Sequence, residues 1–142
     1  MTTTKTIIFL YTIFLITIIP TIYVYIEHAN VETEAFHKAT TETKKIKTFS
    51  EALLFGYIGL GYVIATILIF IKPQNAIPYL VIIIGTVAVT ILYYFRIYGI
   101  PIPFTEIVIV DFSSDWRDVI TKICQQILVI PAMALLILNR KN

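Results

Sequence analysis

The chain has 142 residues, of which 58 % are hydrophobic and 14 % charged, with a mean hydropathy of +0.85. Soluble domains are about 45–50 % apolar and about 25 % charged, and a core this small has no room for the excess, so a soluble globular enzyme is excluded. Eleven basic and nine acidic residues leave a net charge of +2, too weak and dispersed for the basic stripe that nucleic acid requires, and nucleic acid is not an expected partner.

Crossing the roughly 30 Å hydrocarbon core takes about 20 apolar residues in a helix. The first stretch that qualifies runs from Thr6 to Ile26 after Lys5. No small-residue cleavage site follows it, so it reads as an uncleaved signal anchor. Glu27 to Lys47 is heavily charged and is expected outside the bilayer, as a helical extension of the first span followed by a polar turn. The second span, Ala52 to Ile71, follows Thr48-Phe49-Ser50-Glu51, a capping box that sets the expected helix boundary at Thr48. Lys72-Pro73-Gln74-Asn75 then leads into a third span, Ala76 to Phe95, and a link this short makes the two an antiparallel hairpin. Pro78 falls in the first turn of that span, where a missing amide hydrogen costs little.

Between Arg96 and Asp118, Pro101 and Pro103 forbid a continuous helix, and Glu106 to Asp111 reads as a short extended segment. The fourth span runs from Val119 to Leu138, with Asp115 as expected cap and Asp118 complementing the positive helix end. Pro20 and Pro131 lie inside spans one and four, where each frees a carbonyl and is expected to kink its helix.

Only helices satisfy their own backbone in lipid over runs of this length. The expected fold is therefore an all-α membrane protein: one transmembrane domain over 1–142, a bundle of four transmembrane helices with spans near 6–26, 52–71, 76–95 and 119–138, both termini on one side. That side holds Lys5, Lys72, Arg140 and Lys141 and no acid; the other holds all nine acids and seven bases. The raw count of bases favours the second side as cytoplasmic, but the four bases are packed into far fewer residues. Density decides for cytoplasmic termini in a multi-pass protein of the cell membrane.

No serine, cysteine or histidine has a readable paired base and there is no glycine-rich phosphate loop, so no catalytic residues and no cofactor are expected. Cys124 stands alone in an apolar run and gives no disulfide or CxxC motif. Glu27, His28, Glu32, Glu34 and His37 are the one group resembling metal ligands. On a continued helix His28/Glu32 and Glu34/His37 each share a face, which suits zinc or copper, but the two pairs do not share a common face. The plainer reading is a solvated helix face with Glu34 and Lys38 as an i,i+4 ion pair.

Spans one to three carry no Asp, Glu, Lys, Arg or His in their apolar cores, which argues against ion-coupled transport. Gly56, Gly59, Gly61 and Ala65 in span two and Gly85 in span three permit close helix approach on more than one face, placing span two at the bundle centre or against a partner. Thr121, Lys122, Gln125 and Gln126 form a polar patch on span four. Gln125 and Gln126 point about 100° apart, so one is expected to face this bundle and the other a second helix or partner subunit. Lys122 is expected to reach up toward Asp118 and the interface. Tyr23, Tyr25, Tyr93, Tyr94, Tyr98 and Trp116 are expected to form an interfacial belt.

Tyr98-Gly99-Ile100-Pro101-Ile102-Pro103, with the stretch from Val110 to Lys122, resembles small multi-span proteins of ammonia-oxidising archaea, among them accessory subunits of the copper-dependent ammonia monooxygenase. The resemblance covers mainly the last third of the chain and rests on general character. It implies a non-catalytic subunit packed against larger membrane subunits that hold the copper, and assigns no ligand to this chain. The expected function is thus a structural or assembly subunit of an integral-membrane complex, with lipid and other subunits as partners. The alternatives are a metal-binding membrane protein using residues 27–37, or a small-solute channel.

Overall fold

The structure, a computed structural model, describes residues 2–96, 98–109 and 116–140. Its helices are α1 (Thr2–Lys38), α2 (Glu42–Ile71), α3 (Ala76–Phe95) and α4 (Trp116–Arg140), with a two-stranded hairpin, β1 (Ile100–Pro101) and β2 (Val108–Ile109), between the last two. All four helices are long and apolar enough to cross a membrane. They pack as a bundle in which α1 contacts α2 and α4, and α3 contacts α2 and α4. No helix is central; α2 lies between α1 and α3.

Each helix turns a stripe of 3.6-residue period inward. Phe14, Ile18, Thr21 and Tyr25 are buried on α1; Gly59, Tyr62, Ala65 and Ile69 on α2; Tyr79, Ile82, Thr86 and Val89 on α3; Gln125, Leu128, Ala132 and Leu135 on α4. The outer faces expose large apolar residues such as Phe9, Ile16, Leu60, Ile84 and Ile130, as a surface solvated by lipid requires. Threonines are accommodated in these apolar helices because their hydroxyls bond back to carbonyls a turn earlier: Thr17 to Ile13 at 2.9 Å, Thr21 to Thr17 at 2.8 Å, Thr90 to Thr86 at 2.7 Å.

The α2–α3 hairpin forms over the expected link, with Asn75 capping α3 by accepting from the Ile77 amide at 3.1 Å. The boundary expected at Thr48 is corrected. α2 begins at Glu42 behind the N-cap Thr41, and Thr48 is buried within the helix, its hydroxyl bonded to the Lys44 carbonyl at 2.9 Å. The capping-box pattern is overridden because the charged connector is itself helical on both sides of a tight turn. Glu34 pairs with Lys38 at 3.5 Å, Lys47 with Glu51 at 4.0 Å, and the rings of Phe36 and Phe49 meet at 5.6 Å between the two extensions.

Pro20 and Pro131 lie within continuous helices. Of the segment expected to be extended, Val108–Ile109 form β2, paired antiparallel with β1, and residues 110–111 lie outside the described residues. Phe104 sits at the hairpin tip, fully exposed and at a φ of 65°. The Asp115 cap falls outside the described residues.

Candidate functional site

The polar residues of the bundle lie at helical spacing and converge at the end where the hairpin sits. α1 contributes Tyr25 and His28, three apart; α3 contributes Thr86, Tyr93 and, at its C-cap, Arg96, with the apolar Val89 on the same stripe; α4 contributes Asp118, Lys122 and Gln125. Spacings of three and four place each set on one face.

Gln125, fully buried, is the hub. Its Nε2 donates to the Tyr25 hydroxyl at 2.9 Å and the Tyr62 hydroxyl at 3.3 Å, and its Oε1 accepts from Lys122 Nζ at 2.8 Å. Tyr62 OH continues to Thr86 Oγ1 at 2.8 Å, so one network ties all four helices together. Lys122 Nζ also donates to Tyr25 OH at 3.0 Å and sits 4.8 Å from the centre of the Tyr93 ring. Lys122 therefore points into the bundle instead of up toward the interface, because the two tyrosines and Gln125 offer it acceptors and ring faces in a place where lipid offers none.

Nearer the helix ends, Asp118 is 3.1 Å from His28 Nε2 and 3.8 Å from Arg96 Nη1, joining α1, α3 and α4. The Arg96 guanidinium lies 4.0 Å from the Tyr93 ring centre. Between these polar levels and α2 lies a cavity of about 380 Å³, lined by both, by the rings of Phe55 and Tyr93, and by aliphatic side chains. Ile100 and Ile109 of the hairpin close part of its wall. A second polar cluster lies at the opposite end, where Asn139 Nδ2 donates to Tyr11 OH at 3.1 Å and Tyr79 OH at 2.8 Å.

The residues singled out in the sequence fall into different surroundings. His28 is in the Asp118 pair, its ring tilted against that of Phe55 at 5.2 Å, and Glu32 lines the same cavity. His37 lines a separate groove between α1 and α2, and Glu34 is engaged with Lys38. Glu27, His28, Glu32, Glu34 and His37 are thus not drawn together, and among the described residues no three His, Cys, Asp or Glu side chains gather as metal ligands.

Gly59 meets α1 directly, where an added Cβ would lie 3.3 Å from Tyr25 Cβ, and Gly56 faces Ala29. Ala65 is core. At Gly61 and Gly85 an added Cβ would meet nothing within 4 Å. Gln126 is exposed on the outer face of α4. Of the expected aromatic belt, Tyr23, Tyr94, Tyr98 and Trp116 are exposed, whereas Tyr25 is buried and Tyr93 lines the cavity. The belt expectation missed these two because apolar flanks do not distinguish a ring facing lipid from one facing another helix; their spacing to His28 and Arg96 was the available signal. Comparison with family models, curated proteins and solved structures finds no match for this chain.

Proposed function

We propose that this protein is a non-catalytic structural or assembly subunit of a larger integral-membrane complex. The observation that carries the reading is Gln126, an amide on the outer face of α4 nearly three turns from its start at Trp116. Among the described residues it has no hydrogen-bond partner, and an amide left in hydrocarbon is costly. A helix of another subunit would supply that partner. Gly61 and Gly85 support the reading, since neither is needed for packing within this bundle and both leave room for a close-approaching helix. The resemblance of the last third to accessory subunits of copper-dependent monooxygenases nominates that class of host.

Purification in gentle detergent followed by native mass spectrometry tests the proposal. The expected result is a stoichiometric assembly with at least one other membrane protein, depleted by Gln126→Leu. Monomers alone, in lipid nanodiscs as well as detergent, would overturn it.

A further inference from the structure

We propose that the cavity at the hairpin end is a binding site for a membrane quinone, held by its ring and leaving its hydrocarbon tail to the bilayer. The volume of about 380 Å³ falls at the lower end of small-molecule sites, roughly 300–1,000 Å³, enough for one ring and the start of a tail. Its walls are of three kinds. Phe55, Tyr25 and Tyr93 supply aromatic faces. Val24, Ile58 and Val89 supply aliphatic surface, and Leu54 and Leu92 line the cavity while also being exposed on the outside of their helices, which opens it sideways toward lipid.

The third kind is polar and arranged on two levels. Lys122 with Tyr25 forms the inner level, and His28 with Asp118 and Arg96 the outer. Tyr25 and His28 are three residues apart on α1, and Asp118 and Lys122 four apart on α4, so the levels are separated by about one helical turn, roughly 5.4 Å along the axis. A planar ring with oxygens on opposite edges matches two polar levels separated by aromatic walls.

Charge selects among amphiphiles. The lining carries Lys122 and Arg96 against Glu32, Glu51 and Asp118, so the site offers an anionic headgroup no positive excess. Among the described residues no carboxylate lies within ion-pair distance of Lys122, whose partners are neutral oxygens and ring faces. An ammonium in that setting suits a neutral acceptor such as a quinone carbonyl. The outer level combines a guanidinium and a carboxylate–imidazole pair, donors and acceptors together, so it can hold either a carbonyl or the hydroxyl of the reduced form. The inference concerns binding alone and is independent of the assembly reading, since a monomer would bind equally.

The test uses the full chain, purified, stripped of co-extracted lipid and reconstituted in nanodiscs, titrated calorimetrically with decylbenzoquinone. One saturable site per chain is expected. Lys122→Met removes a charge-assisted hydrogen bond and should weaken binding about ten- to a hundredfold. Leu92→Trp fills the cavity from its lipid-facing rim, leaves the polar network untouched, and should abolish binding with an unchanged melting temperature. Absence of saturable binding by the unmodified protein, or equal affinity in a folded Leu92→Trp variant, would overturn the proposal. So would saturable binding of phosphatidylglycerol in competition with the quinone, which would assign the cavity to lipid.

Discussion

Gln125 gives both ends of its amide to the bundle, bridging Lys122 to the hydroxyls of Tyr25 and Tyr62. Replacing it by Leu keeps the volume and removes three bonds, while the Tyr25 hydroxyl keeps Lys122 and the Tyr62 hydroxyl keeps Thr86. Two of the bonds are interhelical, and at an average of about 0.6 kcal/mol each the loss should be about 1–2 kcal/mol, read as a lowered midpoint of unfolding in mixed micelles. Gln126→Leu should leave that midpoint unchanged or slightly higher, because its amide has no partner among the described residues. Equal effects of the two substitutions on stability would contradict the division between an inward and an outward glutamine.

At the scale of helices, the glycines separate by what they face. Gly59 lets α2 approach Tyr25 and Ile26 of α1, where an added Cβ would stand 3.3 Å from one and 3.5 Å from the other. Gly59→Val should push the helices apart and destabilise by about 1–3 kcal/mol. Gly61→Ala and Gly85→Ala meet open space, and each should stabilise the isolated protein by about 0.5–1 kcal/mol through helix propensity. In the native membrane the same alanines should reduce recovery of the assembly, so stability and co-purification measured on one set of variants would move in opposite directions.

For the whole molecule, the charge distribution leads us to expect cytoplasmic termini. In a Cys124→Ser background, a cysteine placed at Thr40, in the α1–α2 turn, should react with a membrane-impermeant maleimide in intact cells. A cysteine at Gln74, in the α2–α3 turn, should react only after permeabilisation. The reverse pattern would invert the orientation and would show that the raw number of bases, rather than their density, governs insertion.

Composition and hydropathy by themselves determined the all-α class and the number and approximate position of the helices, because a backbone in lipid has almost no alternative to satisfying itself within each segment. The third helix, Ala76 to Phe95, falls where the apolar run does, since the short link from Lys72 to Asn75 fixes its start and Gly99, Pro101 and Pro103 bar its continuation. The first two helices run past their apolar runs to Lys38 and from Glu42, where pairing between the extensions outweighs the local capping signal at Thr48. Lys122 and Gln125 were visible as a polar patch, but their partners were not. Tyr25 and Tyr62 lie 100 and 63 residues from Gln125, and His28 lies 90 from Asp118. Periodicity fixes which residues of one helix share a face; which faces meet is decided by the rotation of each helix against the others, and only the packed bundle holds that information.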